Sequence, residues 1–425
     1  MTDAAADRAF LTRLFEAAVA AADPVQVLPR HLPQKPAGKT VVIGAGKGAA
    51  QLAAAFEAAW DGPLEGVVVT RYGYAVPCER IRVMEAAHPV PDAAGLAASE
   101  ALFAAVEGLT EDDLVVALVC GGGSALLPAP AGDLSLEDEA ALNQALLASG
   151  APISAMNAIR KHLSRIKGGR LAAAAHPAKV VSLVVSDVPG DDPAQVASGP
   201  TVPDRVSLAD ALAHVARHRI ALPPKVSAAL EAAEEAPRPE DPVFARNEVR
   251  VIASAELSLQ AAKDAAEAEG LPAVILSDAL EGEAREAGRF HAALAAHVAQ
   301  SGEPFGAPVV ILSGGETTVT LRGAPGKGGR NTEFLLSAAL DLDGVEGVTA
   351  LSADTDGIDG SEDNAGAFAD GGTLARMRAA GADPAAHLTG HDAWSAFAAS
   401  GDLFVPGPTG TNVNDFRAFL VRARG

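Results

Sequence analysis

Lys47 stands in the stretch TVVIGAGKGAA (40–50), where β-branched residues run straight into glycines. A lysine in such a turn, ahead of a helix whose first N–H groups lack partners, makes a site for a phosphate or another anion. Gly44 and Gly46, with Ala49 in third place, match the first part of a dinucleotide fingerprint. That fingerprint also requires an acidic residue at the end of the next strand to hold a ribose. The next strand, GVVVT, ends at Arg71 instead. NAD is therefore disfavoured, while Arg71 leaves the 2′-phosphate of NADP open. A P-loop is excluded, because no four-residue spacer leads to Gly-Lys-Ser/Thr. The plain alternative is a tight strand-to-helix turn carrying a solvated lysine.

Four more turns have the same polar, glycine-rich character: CGGGSA, SDVPGDD, SGGETT and SADTDGIDG. In CGGGSALL (120–127), Gly122, Gly123 and Ser124 would present backbone N–H groups and a hydroxyl to an anion. No Gly-x-Ser-x-Gly elbow supports a nucleophilic serine. Asp187, Asp191 and Asp192 follow one strand, and Asp354, Asp356, Asp359 and Asp363 follow another. Their spacing breaks the EF-hand pattern, and single carboxylates at strand ends suit Mg²⁺, which keeps several waters. Lys327 and Arg330 lie on the glycine loop GAPGKGGRNTEF (323–334), where a guanidinium at a helix start could neutralise a moving phosphoryl group. The stretch MNAIRKHLSRIKGGRL (156–171) is the most basic part of the chain, and at helical spacing Arg160, Ser164 and Lys167 share a face. His88, in the proline-stiffened turn HPVPD, reads as a structural hydrogen-bonding residue rather than a base.

The elements that must position these turns are strands and helices in alternation. Apolar runs at 40–44, 66–70, 114–119 and 180–185 are separated by helical stretches at 48–60, 93–107 and 137–148. This spacing predicts βαβ units and a mainly parallel sheet covered on both faces, with ligands beyond the carboxyl ends of its strands. An amphipathic helix over 5–22 precedes them. The charged, proline-rich stretch 231–243 reads as a linker, giving domains 1–236 and 237–425. After it the pattern restarts with strands at 249–254, 273–277 and 308–314, helices to 269 and over 281–300, a tight return at 317–323, and another strand and turn at 347–357.

The bulk composition narrows the function classes. The 425 residues carry 33 Lys and Arg against 54 Asp and Glu, a net charge of -21, and no basic tract reverses this locally. Such a surface repels nucleic acid and anionic lipid. Two cysteines, Cys78 and Cys120, form no metal-spaced pair, and a reducing cytoplasm is expected. The N-terminus lacks the pattern of a signal peptide. The uncharged run 114–132 has a length that suggests a membrane span, but three consecutive glycines and two prolines argue for a buried strand entering a turn.

Taken in order, IGAGKGA, HPVPD, CGGGSALL, IRKHLSRIKGGRLA, SDVPGDDPAQVASGPT, SGGETTVT, GKGGRNTEF, SADTDGIDG and GPTGTNVND resemble the glycerate 2-kinase family, the class II glycerate kinases with a C-terminal MOFRL domain. The resemblance runs from about residue 40 to 416. It implies an α/β protein of two α/β domains, the first Rossmann-like and the second a smaller mixed sheet, with the active site in the cleft between them. It implies transfer of the ATP γ-phosphoryl group to the 2-hydroxyl of D-glycerate. The family's catalytic lysine and arginine fall on Lys47 and Arg330. Asp187 and Asp354 match its strand-end aspartates, assigned to catalysis or Mg²⁺. Beside these, the polar turns and the basic stretch give Gly44, Gly46, Gly122, Gly123, Ser124, Arg160, Lys167, Gly314, Gly315, Glu316, Asn331, Asp356 and Asn414 as expected substrate or nucleotide contacts. Only small-molecule partners are implied, and a homodimer is left open. Relatives often carry the label hydroxypyruvate reductase, so an NADPH-dependent reductase is the first rival. A non-catalytic sensor of a phosphorylated sugar acid is the second.

Overall fold

Short runs of Val, Ile and Leu without polar alternation form strands buried on both faces, and the chain builds two sheets this way. The computed structural model describes residues 4–423 except 322, 324 and 325. Expectations that fall on those three positions, within the 317–323 return and the 323–334 loop, lie outside the described residues. The chain divides into two units: residues 24–252, and residues 4–23 together with 253–423.

In the 24–252 unit the strands are β1 (Thr40–Ala45), β2 (Glu65–Arg71), β3 (Ile81–Ala86), β4 (Leu114–Cys120), β5 (Lys179–Val185) and β6 (Glu248–Ala253). Their order is β3-β2-β1-β4-β5-β6, and the pairs β2–β3, β1–β2, β1–β4 and β4–β5 are parallel. The order reverses between β1 and β4, so the turns after these two strands leave a crevice at their carboxyl ends. β1 and β4 are buried along their whole length. Helices Ala49–Ala59 and Ala93–Val106 cover the sheet, and Asp92 caps the second through the Gly95 N–H at 3.0 Å.

The second unit has β7 (Ala273–Ser277), β8 (Val309–Gly315), β9 (Val348–Asp354), β10 (Gly366–Asp370), β11 (Leu403–Phe404) and β12 (Asp415–Val421), in the order β11-β10-β9-β12-β8-β7. β7 runs parallel to β8. The chain's last strand, β12, lies antiparallel between β8 and β9 and brings Asp415 opposite both Gly315 and Asp354. Thus one sheet is mainly parallel and the other mixed, as expected for the fold class.

The division differs from the expected 1–236 and 237–425 in two respects. The apolar run at 249–254 does not open the second sheet, because β6 joins the edge of the first sheet beside β5. The proline-rich stretch at 231–243 is therefore a surface connection inside the first unit, anchored by Phe244 in that unit's core. The helix Ala4–Ala20 belongs to the other unit. Phe10, Leu14 and Ala18 recur at helical spacing, and with Leu11 and Phe15 they enter the core of Leu259, Phe404 and Phe416. The Phe15 ring meets those of Phe404 and Phe416 edge-on, at 5.0 and 5.8 Å. The expected return at 317–323 is irregular among its described residues, apart from a bridge between Thr318 and Glu283. No helix among the described residues is long and apolar enough to cross a membrane.

Candidate active site

In the 24–252 unit the site grows from the turn after β1. Gly46 has φ of +140°, and a Cβ there would stand 2.3 Å from Cys120 Sγ. A Cβ on Gly44 would stand 2.4 Å from the Leu118 carbonyl oxygen. Both glycines therefore let β4 approach β1. Their bare faces look into the sheet. The turn aims Lys47. Its N–H donates to Gly121 O at 2.8 Å and its carbonyl accepts from Thr70 Oγ1 at 2.9 Å. Its half-buried ammonium has no carboxylate partner among the described residues.

The loop after β4 packs directly on this lysine. A Cβ on Gly122 (φ +78°) would stand 2.9 Å from Lys47 Cγ and 3.1 Å from His88 Nε2, and one on Gly121 would collide with the Asp187 carboxylate. Lys47, His88 and Asp187 thus converge on Gly121 and Gly122, from the ends of β1, β3 and β5. Burial, with Lys47 and Arg71 nearby, pushes the His88 pKa down to about 4, so the ring is neutral at pH 7. Burial also pushes the Cys120 thiol up to about 12, with Asp187 adding to the shift, so it is un-ionised packing. His88 was expected to be structural; its position beside Lys47 is the finding that sequence reasoning missed. The signal was available, since HPVPD follows β3 as the other polar turns follow their strands.

Ser124 leads away from Lys47. Its hydroxyl meets Ser198 Oγ at 2.9 Å, Ser198 Oγ donates to Asn157 Oδ1 at 3.0 Å, and Asn157 also accepts from Arg160 Nη1 at 3.2 Å. Gly123 makes room for Ala197, and the helix begun there is only four residues long, Gly123–Leu126. Ala197 and Ser198 hold φ of +52° and +60°, a strained geometry for residues with side chains. Asn157 and Ser198 were not foreseen. The basic stretch 156–171 is not one helix, because the helix Ile153–His162 ends before Ser164. Lys167 therefore leaves the face of Arg160. It is 1% exposed and pairs with Glu139 Oε1 at 2.7 Å, so its expected ligand contact is replaced by a buried ion pair.

In the other unit the centre is Arg330, first residue of the helix Arg330–Asp341. Its guanidinium donates from Nε to Asp415 Oδ1 (2.7 Å), from Nη1 to Glu316 Oε1 (2.6 Å) and from Nη2 to Asp354 Oδ2 (2.8 Å). Asp415 is fully buried and Asp354 nearly so, whereas the Glu316 side chain is 55% exposed. Burial drives the Asp354 pKa well above the usual carboxylate range, with Asp415 and Asp356 adding to it and Arg330 opposing. The surrounding carboxylates hold Arg330 charged, its pKa raised despite burial.

Asn331 donates to Asp415 Oδ1 at 2.7 Å, and Arg417 also pairs with Asp415 while donating to Gly314 O at 3.2 Å. Asp356 N–H donates to Asp354 Oδ1 at 3.0 Å, and the Asn414 carbonyl accepts from Thr355 Oγ1 at 2.7 Å. Gly315 (φ +105°) admits the Leu280 backbone. Gly314, Gly315, Glu316, Asn331, Asp354, Asp356 and Asn414 are therefore gathered around Arg330, Asp415 and their strands. Asp415 itself was missed for its neighbour Asn414. Glu316, Thr317, Arg330, Glu333, Asp354 and His391 border a cavity of about 860 Å³.

A strand-end carboxylate with an open oxygen suits Mg²⁺. Asp354 offers less, since each of its oxygens already accepts a hydrogen bond, one from Arg330.

Residues 10–231 match the family described as a domain of unknown function, DUF4147, and residues 309–415 match the MOFRL family. The chain is 56% identical over 416 residues to a protein of Agrobacterium vitis named putative hydroxypyruvate reductase, covering 97% of this chain and 94% of that one. It is 40% identical over 400 residues to the D-glycerate 2-kinase of Thermotoga maritima, covering 94% of each. A crystal structure of a Thermotoga maritima glycerate kinase matches with a TM-score of 0.88 at 37% identity, over 98% of this chain and 99% of that one.

Proposed function

Because the chain belongs to the glycerate 2-kinase family, we propose that it transfers the γ-phosphoryl group of ATP to the 2-hydroxyl of D-glycerate, giving 2-phosphoglycerate and ADP. Lys47 is the observation that carries the reading. An ammonium without a carboxylate partner among the described residues stands at the carboxyl end of a parallel sheet, fixed through its backbone to Gly121 and Thr70. Phosphoryl transfer asks the protein mainly for positioning and for cations at the phosphoryl oxygens. In this reading the hydroxyl oxygen bonds to the γ-phosphorus as the bond to the ADP oxygen breaks, and Lys47 meets the charge on the transferring group. The transition state is loose, so the hydroxyl proton leaves late and little is asked of a base.

Arg330 is the second cation that the family resemblance assigns to the nucleotide. It is already held by three carboxylates, and the exposed Glu316 is the partner a phosphate oxygen would displace at least cost. Mg²⁺ arrives with ATP as part of the substrate. Asp187 and Asp354 are the strand-end carboxylates that the family resemblance offers to it, and Asp354 also holds Arg330.

The rival reading rests on the printed name of the Agrobacterium vitis relative. Two features weigh against it. The glycines of the first turn face β4 instead of an approaching pyrophosphate, and the Arg71 guanidinium lies 3.6 Å from the centre of the Tyr74 ring. The deciding experiment is incubation with ATP, Mg²⁺ and D-glycerate, with the product identified by phosphorus NMR. We expect 2-phosphoglycerate. The 3-phosphate would reject the regiochemistry, and neither product would reject the kinase. Oxidation of NADPH by hydroxypyruvate, followed by absorbance, would establish the rival. Ligand-induced stabilisation without turnover would leave a sensor.

A further inference from the structure

Arg160 is a cation without a counter-ion. Among the described residues no carboxylate lies within ion-pair reach of it, although Asp and Glu outnumber Lys and Arg by 54 to 33 in the chain. Its Nε donates to Asn143 Oδ1 at 2.9 Å and its Nη1 to Asn157 Oδ1 at 3.2 Å, both neutral amide oxygens. The neighbouring basic groups are satisfied otherwise. Lys161 pairs with Asp204, and Lys167 pairs with Glu139, the one carboxylate whose field reaches Arg160. A guanidinium has five donors, so most of this fork remains to be used. It is half-buried, and a cation withdrawn from water without a partner is costly unless a ligand brings one.

The same residues tie Arg160 to the loop that carries Lys47. Asn157, 2% exposed, accepts from both Arg160 and Ser198, and Ser198 meets Ser124. Two residues earlier in that loop, Gly122 packs on Lys47 and His88. The loop Gly121–Ser124 thus has Lys47, His88 and Asp187 on one part and the Ser124–Ser198–Asn157–Arg160 chain on the other. The left-handed φ of Ala197 and Ser198 holds the Ser198 hydroxyl in this chain. Strain of this kind persists where the surroundings demand a particular placement.

We propose that Arg160, with the hydroxyl of Ser124, forms a carboxylate subsite that selects small 2-hydroxy acids as phosphoryl acceptors. A planar fork with neutral supports matches a carboxylate held by two parallel N–H bonds. An acid seated there over Gly121–Ser124 presents its 2-hydroxyl toward the Lys47 part of the loop. The proposal rests on the kinase reading for its acceptor, but the binding it describes is measurable without turnover.

The experiment is calorimetric titration of the whole protein with D-glycerate, with its methyl ester and with glycerol, for wild type, Arg160→Gln and Arg160→Lys, beside steady-state kinetics. Losing one partner of a desolvated charge pair weakens binding by about 100-fold. Arg160→Gln should weaken D-glycerate by that order and raise its KM equally, with KM for ATP and the melting temperature near wild type. Arg160→Lys, which keeps the charge but not the fork, should recover part of the loss. The ester and glycerol should bind weakly to wild type and lose nothing further in Arg160→Gln. D-glycerate binding within threefold of wild type in Arg160→Gln, or equal binding of acid and ester by wild type, would overturn the subsite. If wild type binds D-glycerate through Arg160 but forms no phosphorylated product, the subsite stands and the kinase reading falls.

Discussion

Replacing Arg330 with glutamine tests a consequence of the cluster that the sequence did not suggest. As a loop residue, Arg330 reads as exchangeable with little effect on folding. In the structure its side chain is 23% exposed and serves as counter-ion to Asp415 and Asp354, at 2.7 and 2.8 Å. The third partner, Glu316, is half in water and contributes at most about 1 kcal/mol. Removing one member of a buried ion pair costs about 3–5 kcal/mol, because the other charge stays buried. Here Arg417 still faces Asp415, and Asp354 can take up a proton, so about 3 kcal/mol is expected at pH 8.

The pH dependence has a definite sign. The Asp354 pKa is raised in the folded state, so folded protein binds more protons than unfolded protein above the ordinary carboxylate range, and stability falls as pH rises toward the folded pKa. Arg330 opposes that shift, and its loss raises the Asp354 pKa further. The gap between variant and wild type should therefore be widest at pH 8 and shrink as pH falls toward the unfolded carboxylate pKa. The assay is a thermal melt at a series of pH values. For a unit of this size, about 3 kcal/mol corresponds to about 6–12 °C. A melt within about 2 °C of wild type at pH 8, or a gap that widens on acidification, would refute the reasoning. Arg330→Lys should melt between the two, because one ammonium cannot reproduce three separate hydrogen bonds.

The other predictions are simpler. Lys47→Met should lose about 10²–10³ in kcat, the effect of removing one preorganised stabilising group, with an unchanged melt because its ammonium holds no ion pair among the described residues; more than about half of wild-type kcat would remove Lys47 from the chemistry. Gly122→Ala adds a Cβ 2.9 Å from Lys47 Cγ and 3.1 Å from His88 Nε2 at a φ of +78°, so about 1 kcal/mol of stability should go with a larger fall in kcat, read by melting and steady-state kinetics together. Lys167→Met should destabilise by about 3–5 kcal/mol, and adding Glu139→Gln should restore much of it, measured by denaturant titration. Additive losses in the double variant would show that Lys167 and Glu139 act separately.

The parts of this protein that were legible in the sequence are those whose cause is local. A strand of Val and Ile that runs into Gly, Ser and Asp announces a turn at the carboxyl end of a parallel strand, and Lys47, Gly122 and Asp187 lie in such turns, whereas Asp354 ends a strand with antiparallel partners and Arg330 opens a helix after a glycine loop. Edge strands were harder. IRVMEA was passed over because β3 is half-exposed and carries Arg82 and Glu85, so its run is not uniformly apolar. What failed was pairing across long separations. The run at 249–254 has the composition of any buried strand, and nothing local says that β6 docks beside β5 instead of opening a new sheet.

The same limit explains the misplaced residues of the site. Lys167 looked like a continuation of the Arg160 helix because periodicity does not reveal that the helix ends at His162, nor that Glu139 waits as its partner. Asp415 was passed over for Asn414 because its role exists only once β12 has slid between β8 and β9. That insertion sets the carboxylate opposite Gly315 and Asp354, where both Arg330 and Arg417 reach it. A site assembled at the ends of strands thus has two grades of residue. Those in the turns follow from their own neighbours in sequence. Those that orient them, such as Asp415 for Arg330 and Asn157 for Arg160, are chosen by the pairing of distant segments, and only the folded chain displays them.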